Sequence, residues 1–283
     1  MITDKQKADD LRTALAIRKV FRWFSISILI VLGIHYGLGF WLGSRLLNSP
    51  QIIAHRGGPV YQPENTMAAF KQARNDGVDW LEFDVQMTKD GVLVVIHDEM
   101  VDRTTNGTGA VADFTFAEIQ ELDAGNGQRI PTFAEVIEFA KDAGLGILPE
   151  AKSPQLYPGI EGKMVEAIVS ADYVKFTIIQ SFEAATLDAI HEINFEVEVC
   201  PLYGLWVLSV DQYQPASAGY VCVMAEMVAL NPGMIRDAHA AGLKVFVWFG
   251  VLENPFMINL MLDFGADGLM VDDPVELITI LRP

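Results

Sequence analysis

Apolar and polar positions alternate in two different ways along most of this chain. From Gln51 onward, short apolar runs are followed by longer stretches with helical spacing. The short runs predict strands at Ile52–Ala54, Trp80–Val85, Leu93–Ile96, Gly146–Glu150, Thr177–Gln180, Glu196–Pro201, Tyr220–Val223, Val245–Phe249 and Gly268–Val271. Helix signals fall between them, such as Thr132 three residues before Glu135 and Gly144 where that helix should end.

This alternation predicts one α/β domain over residues 50–283, with the architecture of a (β/α)₈ TIM barrel. Eight strands close such a barrel, so one of the nine candidates must be irregular or misassigned. Residues 99–131 lack a clear helix–strand unit and are interpreted as a small insertion after strand 3. A doubly wound open sheet is the alternative, although no glycine-rich phosphate loop follows the first strand.

One apolar block precedes the predicted domain. Residues 23–44 contain no Asp, Glu, Lys or Arg, and about 20 helical residues span roughly the 30 Å of a bilayer core. Six basic residues precede the block and only Arg45 follows it closely, which favours a transmembrane helix with residues 1–22 in the cytoplasm and the main domain outside. A cleaved signal peptide is the competing interpretation, but the run is long for one and no A-x-A pattern follows it.

The charge of the chain narrows the possible ligands. The net charge of −17 disfavours binding to nucleic acid, whose phosphates such a surface repels. An anionic substrate would need local positive charge from a metal ion, lysine or arginine. The two cysteines, Cys200 and Cys222, form no CxxC motif or Cys/His cluster, which argues against a structural zinc site. They are interpreted as two buried thiols, with a disulfide as the alternative for a domain outside the cytoplasm.

Histidines and charged residues gather at the ends of the first four predicted strands. The segments are His55-Arg56-Gly57, Glu82-Phe83-Asp84, His97-Asp98 and Glu150-Ala151-Lys152. Carboxyl ends of barrel strands build the active site, and side chains two apart on a strand share a side. Converging carboxylates suit a hard cation such as Ca²⁺ or Mg²⁺, paired histidines can donate and accept a proton, and the two basic side chains can bind phosphate. Each segment alone is more often structural, but the four together predict an active site.

The motifs, taken in order, resemble those of the glycerophosphodiester phosphodiesterase family. They are IIAHRGG at 52–58, PENTMAAF at 63–70, WLEFDVQMTKDGVLVVIHD at 80–98, DRTTNGTG at 102–109, IPTFAEVIEF at 130–139, LPEAK at 148–152, QSF at 180–182 and GADGLMVDDP at 265–274. The resemblance covers nearly everything from Ile52 to the end of the chain.

The resemblance implies a barrel enzyme that hydrolyses glycerophosphodiesters to an alcohol and glycerol phosphate with a divalent metal ion, Ca²⁺ or Mg²⁺. It implies that the acid and base are His55 and His97, that the metal ligands are Glu82, Asp84 and Glu150, and that the substrate-binding residues are Arg56, Lys152, Glu64 and Trp248. One departure concerns the seventh strand, where family members often have W-T-V-N and this chain has Trp248-Phe249-Gly250-Val251.

Two other functions remain open at this point. A lysophospholipase D acting on membrane lysophospholipids is the first, because the predicted anchor would bring the enzyme to its substrate and residues 201–210 are apolar. A catalytically inactive barrel serving as a membrane scaffold is the second, and the intact set of histidines and carboxylates argues against it. The sequence specifies neither the headgroup of the substrate nor an oligomeric state.

Overall fold

The computed structural model describes residues 50–209 and 218–282, and within these ranges it contains strands and helices in alternation. The strands are β1 (Gln51–Ala54), β2 (Trp80–Met87), β3 (Leu93–Val95), β4 (Gly146–Ala151), β5 (Ile178–Ser181), β6 (Glu198–Tyr203), β7 (Tyr220–Met224), β8 (Lys244–Trp248) and β9 (Gly268–Val271). The helices are α1 (Met67–Asp76), α2 (Phe116–Ile119), α3 (Phe133–Ala143), α4 (Ile160–Ser170), α5 (Ala184–Ile193), α6 (Ala225–Leu230), α7 (Gly233–Ala240), α8 (Pro255–Asp263) and α9 (Pro274–Leu281). All nine predicted strands are present, with bounds that shift by at most two residues.

Eight of the strands close into a parallel barrel. The order around it is β1, β9, β8, β7, β6, β5, β4 and β2, and β1 pairs in parallel with both β9 and β2. The alternative of an open sheet is therefore wrong, and the predicted (β/α)₈ barrel is confirmed. Because the strands are parallel, their carboxyl ends and the loops that follow them meet at one end of the barrel.

Strand β3 is the ninth candidate, and it is not a barrel strand. It pairs antiparallel with the last residues of β2, Val85–Met87, whereas β1 pairs only with Trp80 and Leu81 at the start of β2. The last residues of β2 are therefore not paired with β1, and the chain folds back so that β3 pairs with them. The interpretation of four consecutive parallel strand ends is therefore wrong for His97, which follows an antiparallel strand.

The predicted insertion packs together with the β3 segment around a separate apolar cluster. Its members are Val94, Ile96, Val101, Val111, Ile119, Ala124 and Ile130, all buried. An antiparallel bridge between Val94 and Thr132 closes this segment against the start of α3. The inserted segment therefore folds as a compact subdomain beside the carboxyl end of β2.

Alternate side chains of the barrel strands face two different cores. One set packs outward against the helices, and the other fills the barrel interior with Ile53, Leu148, Ile178, Cys200, Leu202, Cys222, Phe246 and Met270. This division follows from the period of two along each strand. The middle of the interior is therefore apolar, and Glu82, Asp84, Glu150 and Gln180 lie nearer the carboxyl ends.

Cys200 on β6 and Cys222 on β7 form a disulfide inside the barrel. Their Cα atoms lie 5.9 Å apart, a separation within disulfide reach, because Cys222 is in register with Leu202, two residues beyond Cys200. The interpretation of two separate buried thiols is therefore wrong, and the alternative of a disulfide is confirmed.

The predicted cytoplasmic segment, residues 1–22, and the predicted transmembrane helix, residues 23–44, lie outside the described residues. Within the described ranges, no helix has both the length and the apolar composition needed to span a bilayer.

Candidate active site

Three acidic side chains converge at the carboxyl ends of β2 and β4. Glu82 and Asp84 both face the interior from β2, and Asp84 is in register with Glu150 on β4. All three are buried, and one carboxylate oxygen from each lies within 4.8 Å of the others. The structure thus brings together the three residues predicted as metal ligands, and an all-oxygen set of this kind fits a hard divalent cation.

Burial makes the ionised form of these carboxyl groups less favourable and so shifts their pKa values. Burial raises the pKa of Glu82 to about 7 and that of Glu150 to about 8. Burial acts in the same direction on Asp84, but Lys152, His97 and Arg56 together hold its pKa below the ordinary value. Full ionisation of the cluster at neutral pH therefore requires additional positive charge, which a bound cation would supply.

Two basic side chains flank the carboxylates. Lys152 Nζ lies 2.9 Å from Glu150 Oε1 and 3.5 Å from Asp84 Oδ1. Arg56 Nε lies 3.5 Å from Asp84 Oδ2, and the Arg56 backbone N–H donates to Glu82 Oε2 over 2.8 Å. Arg56 adopts a left-handed backbone conformation with φ of 49°, in the turn that follows β1. Both cations therefore lie where phosphate oxygens bound at the carboxylate cluster could reach them.

His55 is held in place by a carboxylate from the last strand. Its Nδ1 lies 2.6 Å from Asp272 Oδ1, and its Nε2 lies 4.0 Å from Glu82 Oε2. Burial alone would lower the pKa of His55, but the hydrogen bond to Asp272 and the charge of Glu82 raise it above the ordinary value. The backbone N–H groups of Asp272 and Asp273 donate to Glu253, which fixes the loop after β9.

His97 has the same kind of partner in the adjacent Asp98, with Nδ1 and Oδ1 2.5 Å apart. Burial lowers the pKa of His97, and the charges of Lys152 and Arg56 add to this, against the opposing charge of Asp84. Its backbone is fixed by the buried Gln86, whose Nε2 donates to the carbonyl oxygens of residues 96, 97 and 98. The two histidines therefore differ in the direction of their pKa shifts.

Arg103, in the inserted subdomain, connects Glu64, which contacts Arg56, with Asp98, which contacts His97. Its guanidinium donates to both oxygens of Glu64 over 2.8 Å and to Asp98. The hydrogen bond from Arg103 is the main reason that the pKa of Asp98 falls to about 2. Glu64 also accepts from Arg56 over 3.0 Å, so both of its oxygens are occupied by arginines. Glu64 was predicted to bind substrate, and the structure places it as the link between the two arginines.

Trp248 lies at the carboxyl end of β8, across the barrel opening from β4. Its Nε1 donates to the Tyr203 carbonyl over 3.2 Å, and its ring stands edge-on to Phe182 with centroids 5.9 Å apart. Lys152 Nζ lies 5.9 Å from the centre of the Phe182 ring. The aromatic pair therefore borders the charged cluster.

The residues after Trp248, which depart from the usual pattern of the family that the motifs resemble, have a structural explanation. Phe249 is buried, and the backbone N–H groups of Gly250, Val251 and Leu252 all donate to the carboxylate of Glu226. This loop is therefore fixed by Glu226 at the start of α6.

Several residues of the site escaped prediction from the sequence. They are Asn65, Gln86, Arg103, Gln180, Glu253 and Asp272. Asp272 could have been found, because it follows β9 as His55 follows β1. Asn65, whose side chain donates to Asp84 over 2.9 Å, stands beside Glu64 in a motif that was recognised.

Comparison with known proteins places this arrangement among related enzymes. The model of the glycerophosphoryl diester phosphodiesterase family matches residues 55–276. A glycerophosphodiester phosphodiesterase of Caldanaerobacter subterraneus subsp. tengcongensis is 39% identical over 246 residues, covering 82% of this chain and 97% of the relative.

Two solved structures have the same fold. A glycerophosphodiester phosphodiesterase from Agrobacterium tumefaciens is similar with a TM-score of 0.71 and 28% identity, covering 81% of this chain and 99% of the other. An Oleispira antarctica phosphodiesterase, solved in complex with the product sn-glycerol-3-phosphate, has a TM-score of 0.71 and 25% identity over 83% of this chain and 97% of the other. The family match extends over every residue of the site from His55 to Asp272, and the chain therefore belongs to the glycerophosphoryl diester phosphodiesterase family and is a phosphoric diester hydrolase.

Proposed function

We propose that this enzyme hydrolyses glycerophosphodiesters to an alcohol and glycerol phosphate, with a divalent cation, Ca²⁺ or Mg²⁺, held by Glu82, Asp84 and Glu150. The observation that carries the proposal is the buried carboxylate cluster, which is bordered by two histidines and by the basic side chains of Arg56 and Lys152. The bound cation would supply Lewis-acid neutralisation of the charge on the non-bridging phosphate oxygens. Arg56 and Lys152 would bind those oxygens and orient the phosphorus toward the attacking hydroxyl.

The two histidines divide the proton transfers between them. His97, whose pKa is lowered, is neutral near pH 7 and accepts the proton of the hydroxyl that attacks phosphorus. If that hydroxyl belongs to the glycerol moiety, the P–O bond to the alcohol breaks to leave a cyclic phosphate, which water then opens to glycerol phosphate with the two proton transfers reversed. His55, whose pKa is raised by Asp272 and Glu82 against its burial, holds a proton and donates it to the leaving alcohol oxygen. Asp98 and Asp272 each accept from an Nδ1 atom, so the Nε2 atoms are left for the substrate.

The proposal is tested by turnover assays on a panel of glycerophosphodiesters, with and without chelator. Glycerol phosphate should be released from glycerophosphocholine or glycerophosphoethanolamine, and EDTA should stop the reaction until Ca²⁺ or Mg²⁺ is restored. Hydrolysis that persists undiminished after the chelator has stripped the protein of divalent cations would contradict the metal dependence.

The alternative substrate is a membrane lysophospholipid. Leu205 and Trp206, which follow β6 at the mouth, are 62% and 82% exposed and could contact an acyl chain. The relatives reported above are named for glycerophosphodiesters, which favours the first substrate class. Headgroup release from glycerophosphocholine and from lysophosphatidylcholine, measured under the same conditions, distinguishes the two.

We also infer that the catalytic domain is extracytoplasmic. The excess of basic residues before residue 23 supports this orientation, as does the disulfide between Cys200 and Cys222, since disulfides persist mainly in oxidising compartments. Protease added to intact cells or spheroplasts should digest the domain. Digestion only after lysis would reverse the assignment.

A further inference from the structure

The unsatisfied polar atoms of the barrel point to one additional residue in the site. Among residues 50–209 and 218–282, two buried side-chain atoms have no hydrogen-bond partner, Arg56 Nε and Gln180 Oε1. A buried polar atom without a partner costs about 1–3 kcal/mol, so such atoms are usually paired with a ligand or an ion. Both atoms belong to the candidate active site, one as a donor and one as an acceptor. Arg56 Nε is suited to donate to a phosphate oxygen. Gln180 Oε1 can be satisfied only by a donor or by a cation.

Gln180 extends the row of metal-binding side chains by one strand. Asp84 on β2 is in register with Glu150 on β4, and Glu150 is in register with Gln180 on β5. These three residues therefore stand at the same level on three neighbouring strands and share the interior side. Gln180 is 1% exposed, so its amide is fully enclosed at that level.

The orientation of the Gln180 amide is fixed by a carboxylate. Its Nε2 donates to Glu82 Oε1 over 2.8 Å, and the other oxygen of Glu82 accepts from the Arg56 backbone N–H. An ionised carboxylate only accepts hydrogen bonds, so the nitrogen of the amide must face Glu82. The amide oxygen is therefore the atom that does not contact Glu82, and it is buried without a hydrogen-bond donor among the residues that the structure describes.

We propose that Gln180 Oε1 is a fourth protein ligand of the cation, beside Glu82, Asp84 and Glu150. This inference rests on the proposed metal dependence and adds a neutral ligand to the three acidic ones. Amide oxygens are common ligands of hard cations, and Ca²⁺ takes six to eight oxygen ligands in all. The amide thus has two functions, since its nitrogen orients Glu82 and its oxygen binds the ion.

The two functions are separated by two substitutions. Gln180→Leu removes both the donor and the oxygen, whereas Gln180→Glu removes the donor and keeps an oxygen at the same position. Gln120→Leu is the matched control, because Gln120 also donates through Nε2, to the Ile130 carbonyl in the inserted subdomain, and does not contact the site. Thermal unfolding of each chelator-treated protein shows whether the variants fold.

The measurement is calorimetric titration of the full-length, chelator-treated protein with Ca²⁺ alone and with Mg²⁺ alone. Gln180→Leu should weaken binding about 10–100-fold, Gln180→Glu should bind at least as tightly as the unmodified protein, and Gln120→Leu should match it. Unchanged binding by Gln180→Leu would overturn the proposal. So would an equal loss in Gln180→Glu, since only the donor to Glu82 would then matter. If the unmodified protein binds neither cation, the proposed metal dependence fails as well, which separates that failure from a failure of Gln180 alone.

Discussion

Asp272 and His55 join the last strand of the barrel to the first, with Oδ1 and Nδ1 2.6 Å apart. Asp272 thereby sets both the orientation of the ring and its proton affinity, since the hydrogen bond raises the pKa of His55 against the effect of burial. The same strand pair is the one that closes the barrel, in which Ala54 is in register with Val271. Closure of the fold and positioning of the proposed acid therefore depend on one strand contact.

Replacement of Asp272 by Asn should lower the pKa of His55 and reduce turnover at least tenfold. His55 is proposed to act in its protonated form, so the alkaline limb of the pH–rate profile should move to lower pH. Full profiles of kcat/KM for the two proteins measure this shift. Asp267→Asn is the control, because Asp267 contacts His239 on the outside of the barrel and should leave the profile unchanged. A profile for Asp272→Asn with both limbs in place would show that Asp272 acts on structure alone.

The histidines and the carboxylates should separate by their effect on metal content. His55→Ala and His97→Ala should each reduce turnover about 10²–10⁴-fold and retain the bound cation. Glu82→Ala, Asp84→Ala and Glu150→Ala should lose both, since each removes a ligand from an oxygen site. Elemental analysis beside turnover assays tests the division. Loss of the metal by the histidine variants, with retention by the carboxylate variants, would reverse the assigned roles.

The sequence predicted the histidines and charged residues at the ends of the first four strands, and missed the partners from later strands that contact them. Glu82 and Asp84 are two residues apart, so their common face follows from the strand period. The contacts of Asp272 with His55 and of Gln180 with Glu82 span 217 and 98 residues, so no spacing within one motif indicates them, and only the place of each residue at the end of a strand does. The direction of β3 was also unpredictable, because an apolar run reads the same in parallel and antiparallel pairs.

The affinity for the cation should increase with pH over the neutral range. Burial raises the pKa of Glu82 to about 7 and that of Glu150 to about 8, and both groups must be ionised to bind a cation. Calorimetric titration at about pH 6 and about pH 8.5 should therefore show tighter binding at the higher pH. Near pH 7, binding should release protons, which titrations in buffers of different ionisation enthalpy detect. Equal affinities at the two pH values would contradict the raised pKa values.

The stability of the chelator-treated protein should decrease as the pH rises, whereas the affinity for the cation should increase. Carboxyl groups whose pKa is raised by folding bind protons more tightly in the folded state. Their contribution to stability is therefore complete below about pH 4.5 and is lost as the pH rises through about 7 and 8. The temperature of the unfolding midpoint in EDTA should therefore fall as the pH rises over this range. The stabilisation that an added cation gives should be larger at the higher pH.

Arg103 should be required for turnover even though it belongs to the inserted subdomain. It is the partner that Glu64 and Asp98 share, so Arg103→Ala would remove a hydrogen-bond donor from Glu64, which contacts Arg56, and from Asp98, which contacts His97. We expect kcat/KM to fall about 10–100-fold, by analogy with other residues that orient a first layer of site residues. Arg103→Lys should not restore it, because one ammonium cannot replace the guanidinium fork. Arg129→Ala, in the same subdomain, should have little effect, since Arg129 donates to the Leu122 carbonyl and, within residues 50–209 and 218–282, to no residue of the site.

The disulfide between Cys200 and Cys222 should contribute stability without contributing to catalysis. It closes a loop between residues 22 apart in sequence, for which the loss of chain entropy corresponds to about 3 kcal/mol in the free energy of unfolding. Cys200 is in register with Gln180, but neither cysteine is a proposed ligand, so replacing both by Ala should leave the three carboxylates in place. Denaturant unfolding of the oxidised protein and of the double Ala variant measures the difference.

Alkylation under denaturing conditions, followed by mass spectrometry, should find no free thiol in protein isolated from its native compartment. Two free thiols would contradict both the bond and the support that it gives to an extracytoplasmic location.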